Sequence, residues 1–160
     1  MRKLILSLLA SILFLSACQS VPSYQDPDTV EYSIEGDYEI DKDIEDAVKV
    51  IEENLEYAEK EDMEGYLSTI VPSARVETEK ELSSFFEEYD LEHTILSVEV
   101  LEKESDIMLL RVEQQAVVLD SAEGAPAYRN HIAEANHTMV KVEDTWMIEE
   151  TIMTDTFYLD

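Results

Sequence analysis

Cysteine is almost missing from this chain of 160 residues: Cys18 stands alone. No intrachain disulfide can form, so the fold must rest on packing. Positive charge is scarce as well, with 11 Lys and Arg against 38 Asp and Glu and a formal charge of −27. A surface of that sign repels phosphates and anionic lipid headgroups, which excludes a nucleic-acid role. Glycine occurs only three times, and the chain carries no phosphate loop, dinucleotide fingerprint or nucleophile elbow. Nor does any apolar run approach the roughly 20 residues needed to cross a bilayer. The run Leu4–Leu15 is short and interrupted by Ser7 and Ser11.

What stands at the start is a basic head, Arg2-Lys3, then that apolar run, then Leu15-Ser16-Ala17-Cys18. The order basic, apolar, small is that of an export signal. The four closing residues resemble the lipobox of bacterial lipoproteins. The resemblance implies cleavage behind Ala17 and a diacylglyceryl thioether on Cys18. Two acyl chains anchor durably where one gives marginal binding, since each buried CH₂ contributes about 0.8 kcal/mol. The expected layout is therefore a signal peptide over 1–17, an acidic tether over 18–40 and a domain over 41–160. The protein is expected outside the cytosol, on the outer surface of the plasma membrane. The residue after Cys18 is Gln19, which by the same resemblance lacks the inner-membrane retention Asp. An outer-membrane site is the counterpart in a two-membrane cell.

The tether holds Pro22, Pro27 and Gly36 with no helical or alternating period, and its Tyr24, Tyr32 and Tyr38 either dock onto the domain or decorate a loose coil. Over 41–60, Ile44, Ala47, Val48, Ile51, Leu55 and Ala58 recur at helical spacing. Asp41 or Asp43 can cap that helix. Glu45 with Lys49 and Glu56 with Lys60 are favourable pairs along it. Asp62 caps a shorter helix whose Tyr66, Leu67 and Ile70 turn inward. Thr78-Glu79-Lys80-Glu81 fits a capping box before a third helix bearing Leu82, Phe85, Phe86 and Tyr89. That aromatic stripe is read as core packing. After Asp90 the period becomes alternating. Strands are expected over 94–101, 107–119, 128–142 and 145–158. Leu96, Val98 and Val100 share one face of the first; Trp146, Ile148 and Ile152 share one face of the last.

Three helices followed by four long antiparallel strands give an α+β domain, with the helices on one side of a curved sheet. In this order the chain resembles the nuclear transport factor 2-like superfamily, which includes SnoaL-like enzymes. The residues that carry the resemblance are Asp62-Met63-Glu64-Gly65-Tyr66-Leu67, Phe85-Phe86, Asn136 to Lys141 and Thr145 to Ile148. The resemblance implies a cone-shaped fold over roughly 41–158, a pocket between helices and sheet, and homodimers through the outer sheet face.

A pocket in such a fold is marked by polar residues on apolar strand faces. Gln114 lies among Val112, Ala116 and Val118; Asn136 shares a face with Val140; Glu150 lies between Ile148 and Ile152. A carboxylate among apolar neighbours can be a general acid or base, which makes Glu150 the catalytic candidate, with Tyr66, Gln114 and His137 as helpers. No metal or cofactor is expected. His131 and His137 lie about 20 Å apart along an extended strand, His93 stands alone, and no zinc or calcium spacing occurs. The leading reading is a non-catalytic, lipid-anchored module that binds a small molecule, an envelope component or a protein. The alternatives are a small-pocket isomerase or lyase using Glu150, and a structural partner of a membrane complex.

Overall fold

The computed structural model describes residues 23–159. Asp41 accepts a hydrogen bond from the Ile44 N–H at 3.1 Å and so starts α1, Lys42–Glu59. Asp43 instead pairs with Lys141 at 2.8 Å, tying the helix to the sheet. Ile44, Ala47, Val48 and Ile51 form the buried stripe of α1, as helical periodicity requires. Glu56 pairs with Lys60, while Lys49 turns to Glu53 and not to Glu45. Asp62 accepts from the Gly65 N–H at 3.0 Å and opens α2, Met63–Ser68. Gly65 is required there, because any Cβ would run into the Tyr57 ring.

The third helix, α3, is Arg75–Glu88 and begins three residues before the expected capping box. Thr78 is inside it. Its start follows from a backbone turn, with the Ala74 N–H bonded to the Val71 carbonyl at 3.0 Å. The Arg75 Nε donates to the Ile70 carbonyl at 3.0 Å. No side chain caps the helix, so a Thr-x-x-Glu pattern one turn later had nothing left to do.

Four long strands follow as an antiparallel meander: β2 Tyr89–Lys103, β3 Ile107–Ser121, β4 His131–Val142 and β5 Thr145–Tyr158. β2 starts five residues before its expected bound, directly at the end of α3. β4 starts three residues after its expected bound. The inner face carries Val98, Val100, Met108, Leu110, Val112, Met139, Trp146 and Ile148, packed against α1 and Ile70. The β2–β3 and β4–β5 pairings each shift register at more than one point. Leu96 is an extra residue between Ile95 and Ser97, and Glu149 is one between Ile148 and Glu150. An extra residue reverses the alternation beyond it. Leu96 therefore leaves the face of Val98 and Val100 and lines a cavity on the outer side. Ile152 leaves the face of Trp146 and Ile148 and is 51% exposed.

The segment expected to be a tether is built onto the domain from its first described residues. Ile34–Gly36 forms a fifth strand, β1, parallel to β2 at the sheet edge. Gly36, at φ +138°, lies so close that a Cβ would stand 2.7 Å from the Val100 carbonyl oxygen. Tyr32 donates to Glu52 of α1 at 2.5 Å. Tyr24 stays exposed. Gln115, fully buried on the outer sheet face, accepts from the Gln25 N–H and donates to the Gln25 carbonyl, both at 2.8 Å. This bidentate clamp reads backbone alone, which is why composition gave no sign of it. Gln115→Leu is expected to free the segment. Losing two bonds of about 1 kcal/mol each raises local opening by at least about tenfold. Chymotrypsin cleavage at Tyr24 or Tyr32 measures it; hydrogen exchange of β3 and β4 stays unchanged.

Candidate functional site

The inner face beyond the apolar core carries the polar groups. His137, on β4 opposite Leu110, is 4% exposed. Its Nδ1 lies 3.0 Å from the Thr151 hydroxyl, and its Nε2 is buried without a partner. Burial disfavours the charged imidazolium and pulls its pKa down to about 4. His137 is therefore neutral at pH 7. Gln114, opposite Ala133 on the same face, has a buried Oε1 with no partner. Tyr66 enters from α2 and meets Phe86 edge-on, with ring centroids 5.7 Å apart. Burial raises its pKa, so its hydroxyl stays protonated. Asn54 of α1 donates to Thr69 at 2.7 Å, and Thr69 donates to the Tyr66 carbonyl at 2.7 Å, which fixes α2 beneath the sheet.

Three of the five expected pocket residues, Tyr66, Gln114 and His137, thus lie on the helix side. Asn136 and Glu150 do not. Asn136 faces Arg111 and Ile152 across the outer face. Glu150 opposes Thr138 on that outer face and is exposed. The Glu149 bulge separates it from the face of Ile148. The catalytic arrangement expected around Glu150 is not assembled in this fold. Cys18 lies outside the described residues.

Toward the far end of the sheet the inner face opens. The cross-strand row His93, Ala116, His131 and Tyr158 runs from β2 to β5. His93, expected near a helix end, sits on β2; burial, with His131 nearby, pulls its pKa down to about 4. Ala133 and Ala135 are small floor residues beside Thr156 and Met153. Above them the β3–β4 loop contributes Ala127, Tyr128 and Arg129. Together with His131 and Tyr158 these enclose a groove of about 360 Å³, within the range of small-molecule sites. The Arg129 guanidinium stacks on the Tyr158 ring at 4.0 Å. The His131 Nδ1 donates to the Arg129 carbonyl at 3.0 Å, since a carbonyl can only accept. Sequence reasoning passed over Arg129, Tyr128 and Tyr158. The one available signal was His131, a polar residue at the head of an apolar-alternating strand.

A larger cavity, about 560 Å³, lies between the N-terminal segment and the outer face, lined by Ser23, Gln25, Leu96, Glu113 and Ile132 among others. Among the described residues no group of His, Cys, Asp or Glu is placed to hold a metal ion. No described helix is long and apolar enough to cross a membrane.

Residues 49–159 match the family model described as the C-terminal domain of the anti-sigma-I factor RsgI9. No curated protein sequence matches the chain. Solved structures match its fold. A proposed scytalone dehydratase from Novosphingobium aromaticivorans is 14% identical, with 71% of this chain and 85% of that one covered at a TM-score of 0.59. A protein of unknown function with a cystatin-like fold from Nostoc punctiforme is 12% identical, with 72% and 93% covered at 0.58. A proposed dehydratase of the NTF2-like family from Streptomyces avermitilis is 14% identical, with 68% and 92% covered at 0.55. At such identities the likeness is one of fold, which is nuclear transport factor 2-like.

Proposed function

The chain belongs to the family of the anti-sigma-I factor RsgI9 C-terminal domain, and from that premise we propose that it is a lipid-anchored binding module outside the cytosol. Cys18 carries the lipid. The inner face of the domain takes the ligand, and no covalent chemistry follows. The observation that carries this reading is the chemistry of the inner face. Its buried, unpartnered atoms, the His93 Nδ1, the His137 Nε2 and the Gln114 Oε1, are neutral hydrogen-bonding groups. A general base needs a pKa near the working pH. Burial holds His137 far below that, at about 4, and Glu150 stands on the opposite face. Groups of this kind position a ligand without moving its protons. The family's namesake is described as an anti-sigma-I factor, and this favours recognition over turnover.

Membrane fractionation with intact-mass analysis of wild type and Cys18→Ala tests the anchor. Wild type is expected in the membrane fraction with a lipid adduct at Cys18. The variant is expected to be released or to accumulate with its signal uncleaved. An unmodified wild-type chain, soluble and retaining Met1, overturns the proposal.

A further inference from the structure

We propose that the groove under the β3–β4 loop selects a small molecule bearing a carboxylate on a flat apolar body, with Arg129 as the anion-binding group. This rests on the reading of the inner face as a binding site and names its ligand class. The chain has 38 acidic residues, and most of its described cations are neutralised by them. Lys42, Lys49, Lys60, Lys103, Arg111 and Lys141 all lie within ion-pair distance of a carboxylate. Arg129 has no such partner among the described residues, although it borders a cavity. No Asp or Glu lines that cavity either.

The geometry suits the guanidinium to its task. Its Cζ lies over the Tyr158 ring at 4.0 Å, and with no carboxylate partner among the described residues its N–H groups can bind a ligand carboxylate through two parallel bonds. The loop that carries it is held by hydrogen bonds along its length. The Arg129 carbonyl accepts from His131 at 3.0 Å, and the Pro126 carbonyl accepts from the Tyr89 hydroxyl at 2.9 Å. Tyr128, Tyr158 and Met153 supply flat or apolar walls for the rest of the ligand. With Nδ1–H committed to the loop, the His131 Nε2 is left as an acceptor for a ligand hydroxyl. The negative charge of the whole chain does not forbid an anion here. Charges farther away than about 8 Å are screened at physiological salt, whereas the contact with Arg129 is direct.

The probes are benzoate and the neutral benzyl alcohol, titrated by NMR into the detergent-solubilised full protein and into Arg129→Gln and Arg129→Lys. Benzoate is expected to saturate shifts at Tyr158, His131 and the Arg129 side chain. It should bind at least tenfold more weakly to Arg129→Gln, with Arg129→Lys falling between. Equal benzoate affinity in wild type and Arg129→Gln, or equal affinity for benzyl alcohol and benzoate, overturns carboxylate selection while leaving the groove as a binding site. Silence at Tyr158 and His131 with both probes overturns the groove itself.

Discussion

Moving from pH 7.5 to pH 5 is expected to remove about 2 kcal/mol of folding stability through His137 alone. In the unfolded chain this imidazole takes its proton at the ordinary value of 6.5, and in the folded chain only at about 4. Above 6.5 both states hold it neutral, so its full contribution is present. Between 6.5 and 4 the unfolded state binds the extra proton, and stability falls with pH; below 4 both states are charged and the loss stops growing. His93 acts in the same direction, its pKa also drawn down to about 4 by burial and by His131 nearby. Glu59 opposes them. Burial raises its pKa, so the folded state takes that proton first and gains as pH falls. A comparison of variants isolates the histidine. Urea unfolding of wild type and His137→Gln at both pH values should show a pH-dependent loss about 2 kcal/mol smaller in the variant. Identical slopes would mean that His137 is solvated and that the inner face is wet.

This pH response was not visible in the sequence, although the residue was. Gln114 read as a polar residue on an apolar strand face, and His137 as a helper to Glu150. Both lie on the inner face because β3 and β4 pair without a register shift through Ile107–Ala116 and His131–Val140. Where the pairing is regular, period two carries the sense of each side chain faithfully. Where it is not, a single residue reverses the answer, and Glu149 moved Glu150 to the outer face in this way. Nothing in Thr-Trp-Met-Ile-Glu-Glu marks which position bulges, since the bulge is set by the strand opposite. The α1 stripe was legible for the same reason as β3: a long, unbroken period. The docking of the N-terminal segment depends on Gln25 and Gln115, 90 residues apart. A glutamine that binds backbone leaves no pattern near either residue. Arg129 lies in a loop, and only the closing end of β5 brings Tyr158 beneath it.

Leu110→Ala is expected to lower stability by about 3–4 kcal/mol at pH 7.5. Leu110 is fully buried at the centre of β3 and belongs to the core that joins α1 to the sheet. Removing its side chain forfeits transfer energy and opens a cavity that strand pairing on both sides keeps from collapsing. Its neighbours across the sheet are Val100 and His137. The cavity therefore borders a buried imidazole whose Nε2 has no partner. That is a polar wall, so water can enter where an apolar cavity would stay dry. Solvation of His137 would raise its folded pKa toward 6.5 and shrink the acid penalty. The loss on Leu110→Ala at pH 5 should then be smaller than at pH 7.5, and Leu110→Ala combined with His137→Gln should be non-additive, as contacting sites are. Urea unfolding of the four chains at both pH values measures this coupling. Strict additivity would mean that the cavity stays dry and that Leu110 does not control solvent access to His137.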